Sequence, residues 1–384
     1  LHHQDILKSL IEFNTISSNP NIELMNHVSE LLSAHNIQSA LIANGDGTKA
    51  NLFATIGPEN VPGIMLSGHT DVVPVEGQEW SKPAFELTEE DGKLFGRGTA
   101  DMKGFVACAI ATAIKASKLE LKTPLHLAFS YDEEIGCVGV HSMIDMLAKA
   151  PVSTAMCIVG EPTSMRVAIG HKGKTGAHAT CIGKEGHSAL APNALNAIHL
   201  GCDFIGALRD IQKDIEDKGV RDNDYDVPYT TVHAGKINGG VALNIVPNLC
   251  KIAFEIRNIA EDDPSIILDR IKGEASRIVD IAKQHTEEAD IQIEVYNTYP
   301  GLNTLPTSKA VEFVKSLLGA NDTCKVAFGT EGGLFSQKLD IPTVVCGPGS
   351  MDQGHKPDEF ISIDQLNQCE QMLDRLIKQL ESGL

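Results

Sequence analysis

The chain has 384 residues, 42% of them hydrophobic and 22% charged, a composition that fits a globular enzyme of about two domains. Lys and Arg number 32 against 51 Asp and Glu, a formal net charge of −19, which repels phosphate backbones and anionic membranes and sets aside nucleic acid and lipid as partners. No apolar run approaches the roughly 20 residues of a membrane span, and the nine cysteines are scattered without a CxxC pair, as expected of reduced thiols in a cytoplasm.

The opening "LHHQDILKSLIEF" puts Ile6, Leu7, Leu10 and Ile11 on one helical face and reads as a helix, not as a signal or transit segment. Residues 21–35 follow with Leu24, Val28, Leu31 and Leu32 at helical spacing. "NLFATIG" and "GIMLSG" read as strands, "GFVACAIATAIKAS" as an Ala-rich helix, and "PLHLAFS" and "TAMCIVG" as further short strands. This alternation predicts an α/β fold, a mostly parallel or mixed sheet with helices on both faces.

The texture changes near residue 173. "KTGAHATCIG" alternates like a half-exposed strand, a helical stretch covers about 193–217, and the strands "YTTVHAGKI" and "NLCKIAFEIR" follow. A long helical pattern runs over about 264–286, then the strand "IQIEVY". The order predicts an inserted α+β domain at 175–290, interrupting a catalytic domain made of 1–174 and 291–384. The acidic stretch "KDIEDKGVRDNDYDVPYT" reads as a solvated excursion. The final part returns to α/β texture, with helices at 307–318, 332–338 and from 363, and strands "KVAFG" and "PTVVCG".

The chemistry sits at strand ends. "SGHTDVVP" ends a buried strand in His69 and Asp71, which share a face if the strand continues through them. "GRGTADMKG" brings Asp101 just before the Ala-rich helix, "AFSYDEEIGC" delivers Asp132, Glu133 and Glu134, "CIVGEPTS" delivers Glu161, and "GHKPDEF" delivers His355. In open α/β sheets the carboxyl ends of the strands form the ligand-binding edge. Histidine and carboxylate without cysteine suit Zn²⁺, Co²⁺ or Mn²⁺. Two histidines and three carboxylates exceed one open catalytic site and fit two divalent ions about 3.5–4 Å apart, bridged by one carboxylate. Asp71 then orients the His69 imidazole, and Glu133 is left over as the general base. "GRGTAD" is not G-x-G-x-x-G and no P-loop pattern occurs, which argues against a nucleotide-binding protein.

In order, "SGHTDVVP", "GRGTADMKG", "YDEEIGC", "GEPT", "GHSALAPNALNAI", "NIVP", "GTEGGLF" and "GPGSMDQGHKPDE" resemble the motifs of the M20 metallopeptidase family of dinuclear-zinc amidohydrolases and exopeptidases, over about residues 62–360. The resemblance implies that His69 and Glu161 bind one metal ion, most simply Zn²⁺, and Glu134 and His355 the other. Asp101 would bridge them, with a cis peptide to Met102. It implies that the inserted region is a lid through which the chain forms a homodimer, and that His187 reaches the neighbouring subunit's site to steady an oxyanion. Asn244 and Arg257 would help hold substrate, and Thr330 with nearby backbone N–H groups would meet a substrate carboxylate. The texture of "IGHKG" and "FGTEGGLF" is that of the amino-acid deacetylases, so the partner implied is a small N-acyl amino acid whose ammonium Glu331 would face. Desuccinylation and exopeptidase cleavage are the alternatives within the family. With all five donors, the orienting acid and the base present, an inactive scaffold is disfavoured.

Overall fold

The computed structural model describes residues 2–149 and 153–384. By contacts the chain forms two units: Leu1–His171 with Leu302–Val326 and Thr330–Leu384, and Lys172–Gly301 with Ala327–Gly329.

In the first unit the short apolar runs become a nine-stranded sheet. Its order is Ser39–Ala43, Ala50–Ile56, Leu125–Ser130, Gly63–His69, Thr154–Pro162, Thr343–Gly347, Ala168–His171 and Leu302–Asn303, with Cys324–Val326 also on Ala168–His171. The centre is parallel: Gly63–His69 lies between Leu125–Ser130 and Thr154–Pro162, and Thr343–Gly347 extends the same ladder. The rims are antiparallel apart from Cys324–Val326, which runs parallel to Ala168–His171, so the fold is a mixed, centrally parallel α/β sheet. Gly63–His69 and Leu125–Ser130 are buried at every position, as strands covered on both faces must be. Register then fixes the functional edge. His69 lies level with Ser130, and Pro162 level with Gly347, so the segments that follow all leave from one side.

The helix Gly104–Ala116 is buried at every position but Lys115, which explains its apolar composition all round. It packs closely because of Gly160: a Cβ there would lie 1.9 Å from the Phe105 ring. A three-stranded sheet of Thr88–Glu90, Lys93–Phe95 and Phe360–Ser362 lies outside the sequence reading. Its strands are too short to show a period.

The second unit holds an antiparallel sheet, Thr231–Gly239, Leu249–Arg257, Lys174–Ile182 and Asp290–Tyr299 in that order. The helices Ala197–Lys218 and Pro264–Ala282 supply its apolar core together with the inward residues of the strands. The expected domain limits move. Asp290–Tyr299 pairs with Lys174–Ile182, which carries the boundary from 290 to 301. The helix expected from 193 starts at Ala197, where the Asn196 side chain accepts from the N–H groups of Ile198 and His199. Ser188–Asn193 is instead a short 3-10 turn containing Pro192. The acidic stretch is not wholly solvated. It is helical to Lys218, Tyr225 is buried, and Lys172 Nζ donates to Tyr229 O at 2.6 Å. Among the described residues no helix is long and apolar enough to cross a membrane.

Candidate metal centre

His69 closes its strand with the ring almost fully buried. Its Nδ1 lies 2.9 Å from the carbonyl oxygen of Asp71 and 3.5 Å from the Asp71 carboxylate. A carbonyl only accepts, so Nδ1 carries a proton, and Nε2, which faces the acids, is the nitrogen that would turn to a cation on losing its own. The orienting contact expected of the Asp71 carboxylate is therefore made chiefly by its backbone. The carboxylate instead accepts from the N–H groups of Glu133 and Glu134, at 3.1 and 3.2 Å, and from Ser17 Oγ at 2.6 Å.

That arrangement explains the run of acids after Ser130. Adjacent strand residues point to opposite faces, but the strand ends at Ser130 and Asp132 takes a left-handed conformation, φ 56°, tolerated by Asp. Lys49 Nζ holds the Asp132 carboxylate at 2.6 Å. Glu133 and Glu134 then turn toward the same edge. Asp101 reaches it from the turn Thr99–Lys103, where the Asp101–Met102 peptide is cis. Glu161 comes from the end of Thr154–Pro162, and His355 from the loop after Thr343–Gly347, in a left-handed conformation of φ 61°.

These side chains converge. Asp101 Oδ1 is 3.0 Å from His69 Nε2, and Asp101 Oδ2 is 3.1 Å from His355 Nε2. Glu161 Oε1 lies 3.7 Å from His69 Nε2, and Glu134 Oε2 lies 3.0 Å from His355 Nε2. Potential ligand atoms of His69, Asp101 and Glu134 lie within 4.8 Å of one another, as do those of His69, Glu133 and Glu161.

Electrostatically the cluster is short of positive charge. Burial and then its acidic neighbours, opposed by His69, hold Glu161 well above the usual carboxylate range. Burial, with Glu134 adding, pushes Glu133 up to about 8, and burial with Asp101 pushes Glu134 up to about 7. Burial would raise Asp101 too, but its hydrogen bonds with His355 and His69 hold it far below the ordinary value. His355 is raised to about 10 by the same Asp101 and Glu134 contacts. Burial would lower His69, but Asp101 and Asp71 outweigh it and hold the ring well above its usual range. Glu134 Oε1 is buried without a hydrogen-bond partner. Crowded carboxylates, an orphaned oxygen, imidazole lone pairs and no coordinating thiol fit hard or borderline divalent cations.

The remaining expected residues divide. Thr330 is fully buried and its Oγ1 accepts from Gly332 N at 2.9 Å, while Gly333 N donates to His171 Nε2 at 3.2 Å. The first two N–H groups of the helix Gly332–Leu339 thus already have side-chain acceptors, Thr330 and His171. Glu331 is 1% exposed, with Ser67 Oγ 3.4 Å from Oε2 and with Oε1 buried without a hydrogen-bond partner. His187, Asn244 and Arg257 belong to the second unit. His187 and Asn244 are exposed neighbours on one small ladder, where Ser188 N donates to Asn244 O at 3.0 Å. Arg257 Nε donates to Glu255 Oε1 and its Nη1 to Tyr299 Oη, both at 3.1 Å. The sequence reading passed over Ser17, which anchors Asp71, and Arg97 and Glu359, although the last two stand inside quoted motifs.

A centrally parallel α/β sheet with nitrogen and oxygen donors gathered at its carboxyl edge is the arrangement of a metal-dependent hydrolase. The chain belongs to peptidase family M20/M25/M40, whose sequence profile matches residues 65–379, and it is a metallohydrolase of that family. It is 33% identical over 342 residues to an acetylornithine deacetylase of Pasteurella multocida, covering 88% of this chain and 86% of that protein. An acetylornithine deacetylase of Shigella sonnei is 34% identical over 333 residues, covering 87% and 84%. In fold it resembles the crystal structure of an M20 family metallo-carboxypeptidase from Sulfolobus solfataricus, with a TM-score of 0.83 over 100% of both chains at 19% identity.

Proposed function

We propose that the protein removes the acetyl group from N²-acetyl-L-ornithine, giving L-ornithine and acetate, with two divalent ions, most simply Zn²⁺, at the carboxyl edge of its sheet. The observation that carries the chemistry is Asp101, whose two oxygens each face a different imidazole, His69 on one side and His355 on the other. The substrate assignment is supported by the acetylornithine deacetylases to which the chain is similar over most of its length.

His69 and Glu161 would hold one ion, Glu134 and His355 the other, with Asp101 shared. When bound, the ions polarise the amide carbonyl and ease ionisation of the attacking water. Glu133 stands beside this group with its backbone fixed by Asp71. Its carboxylate takes one proton from the water as the C–O bond forms, and returns it to nitrogen as the C–N bond breaks. Cys137 Sγ, 3.3 Å from Glu133 Oε1, donates to that carboxylate and restrains its rotation. His187 donates to the developing oxyanion, and Asn244 and Arg257 steady the amino-acid end. Because a lid histidine of this kind serves a neighbouring copy, the working form is a homodimer through the second unit.

A panel of N-acyl amino acids with metal-reconstituted protein tests the substrate. N²-acetyl-L-ornithine should be turned over best. Strong turnover of N-succinyl-diaminopimelate with none of acetylornithine would overturn the substrate and leave the chemistry standing. Mixing His187→Ala with Asp101→Ala chains tests the dimer: activity should return in mixed dimers, and its absence in proven heterodimers would sink the role across subunits.

A further inference from the structure

Arg97 and Glu359 lie inside the motifs "GRGTADMKG" and "GHKPDE" but stand outside the converging groups of potential ligand atoms. Both are 1% exposed and form an ion pair, Arg97 Nη1 to Glu359 Oε2, at 2.7 Å. A buried pair of this kind is weak ground for stability, because desolvation offsets the attraction. Its remaining contacts show another use. Glu359 Oε1 accepts from the N–H groups of Ala100 at 2.9 Å and Asp101 at 3.0 Å. These peptides set the direction in which the Asp101 carboxylate leaves the chain. Arg97 Nη1 also donates to Lys356 O at 3.3 Å, and Nη2 donates to Gln78 Oε1 at 2.6 Å. Gln78 in turn donates from Nε2 to His355 O at 2.9 Å. The network therefore grips the backbone at Asp101 and on the two peptides that follow the His355 α-carbon.

The two histidines differ in their need for such support. His69 is fixed within a central strand at 1% side-chain exposure, whereas the His355 side chain is 45% exposed and sits in a loop. Packing does not hold His355, so its backbone contacts must.

We propose that Arg97 and Glu359 are positioning residues that set the spacing between Asp101 and His355, and so govern the affinity of the His355-side metal position. This rests on the dinuclear reading above. The position made by His69 and Glu161 meets the pair only through the shared Asp101, so it depends on it less.

Cobalt titration of the metal-depleted full-length protein, followed by visible absorption and equilibrium dialysis, tests this. Wild type should bind Co²⁺ in two steps. Glu359→Gln keeps an acceptor for the two N–H groups but leaves Arg97 unpaired. It should weaken one step by about 10–100-fold, the usual cost of losing an outer contact to a metal ligand, and change the other clearly less. Arg97→Lys, which loses the planar fork, should weaken the same step. Gln78→Ala, at a half-exposed site, should do so more mildly, and it decides the matter if the buried variants fail to fold. Two steps unchanged in these variants, or both weakened alike, would overturn the proposal. Fewer than two equivalents bound by wild type would count against the dinuclear reading instead.

Discussion

In the first unit His69, Asp71, Asp101, Glu161, Glu331 and Glu359 are each no more than 5% exposed, gathered at the edge of a sheet whose two central strands Gly63–His69 and Leu125–Ser130 are buried throughout. In the second unit the core is made of residues such as Ala177, Phe204, Ile252 and Phe254, and the polar candidates His187 and Asn244 stand in solvent. Burying an acid carries a desolvation cost that must be offset by a specific partner. Where reactive groups are buried, chemistry and stability are coupled. Where they are exposed, a side chain can serve a reaction without affecting the fold.

The largest effect expected from this contrast is at Glu133. Glu133→Gln should lower kcat by about 10²–10⁴-fold while both metals remain, as read by metal content after gel filtration. Near-normal turnover with full metal would remove Glu133 from the proton path. Next comes His187→Ala, which should lower kcat by about 10²–10³-fold, the scale of losing an oxyanion donor. Its melting temperature should stay that of wild type, and a large drop would mean that this residue is not the separable kind the second unit implies.

Glu331 sharpens the comparison from the buried side. Burial pushes its carboxyl from 4.5 up to about 7, so the folded chain favours the protonated form. The stability tied to this proton is complete below about pH 4.5 and lost as pH rises through about 7. Glu331→Gln should therefore gain stability over wild type between pH 5 and pH 8, by up to about 3 kcal/mol in metal-depleted protein. Urea unfolding at the two pH values measures it, and a constant difference would show that Glu331 ionises normally. The smallest effect belongs to the second unit's ordinary architecture. Asn196→Ala removes the cap of Ala197–Lys218 and should cost about 1 kcal/mol, independent of pH and added metal. A metal-dependent cost would mean that the cap is coupled to the site.

The strand-end donors were legible because each ends an apolar run, and buried strands reveal their termini when a charge appears. His69, Glu161 and the "DEE" run show this directly. The paired sheet of the second unit was legible from its alternation, but its edge was not. Nothing local says that Asp290–Tyr299 pairs with Lys174–Ile182 and not with the larger sheet. The surroundings of Thr330 and Glu331 were hidden for a related reason. Their types suit a binding loop, but a hydroxyl that accepts from the N–H two residues on and an acid buried beside Ser67 have the same letters. The contact between Arg97 and Glu359 spans 262 residues of chain, and no spacing rule connects residues so far apart.

That separation bears on how the protein is made. A chain leaving the ribosome presents His69, Asp101, Glu134 and Glu161 long before His355 and Glu359 exist. Asp101 cannot gain its second imidazole, nor Arg97 its carboxylate, until the strand Thr343–Gly347 and the loop after it have emerged. Assembly of the complete centre therefore waits for that loop, and a nascent chain stalled short of residue 355 can hold at most part of it.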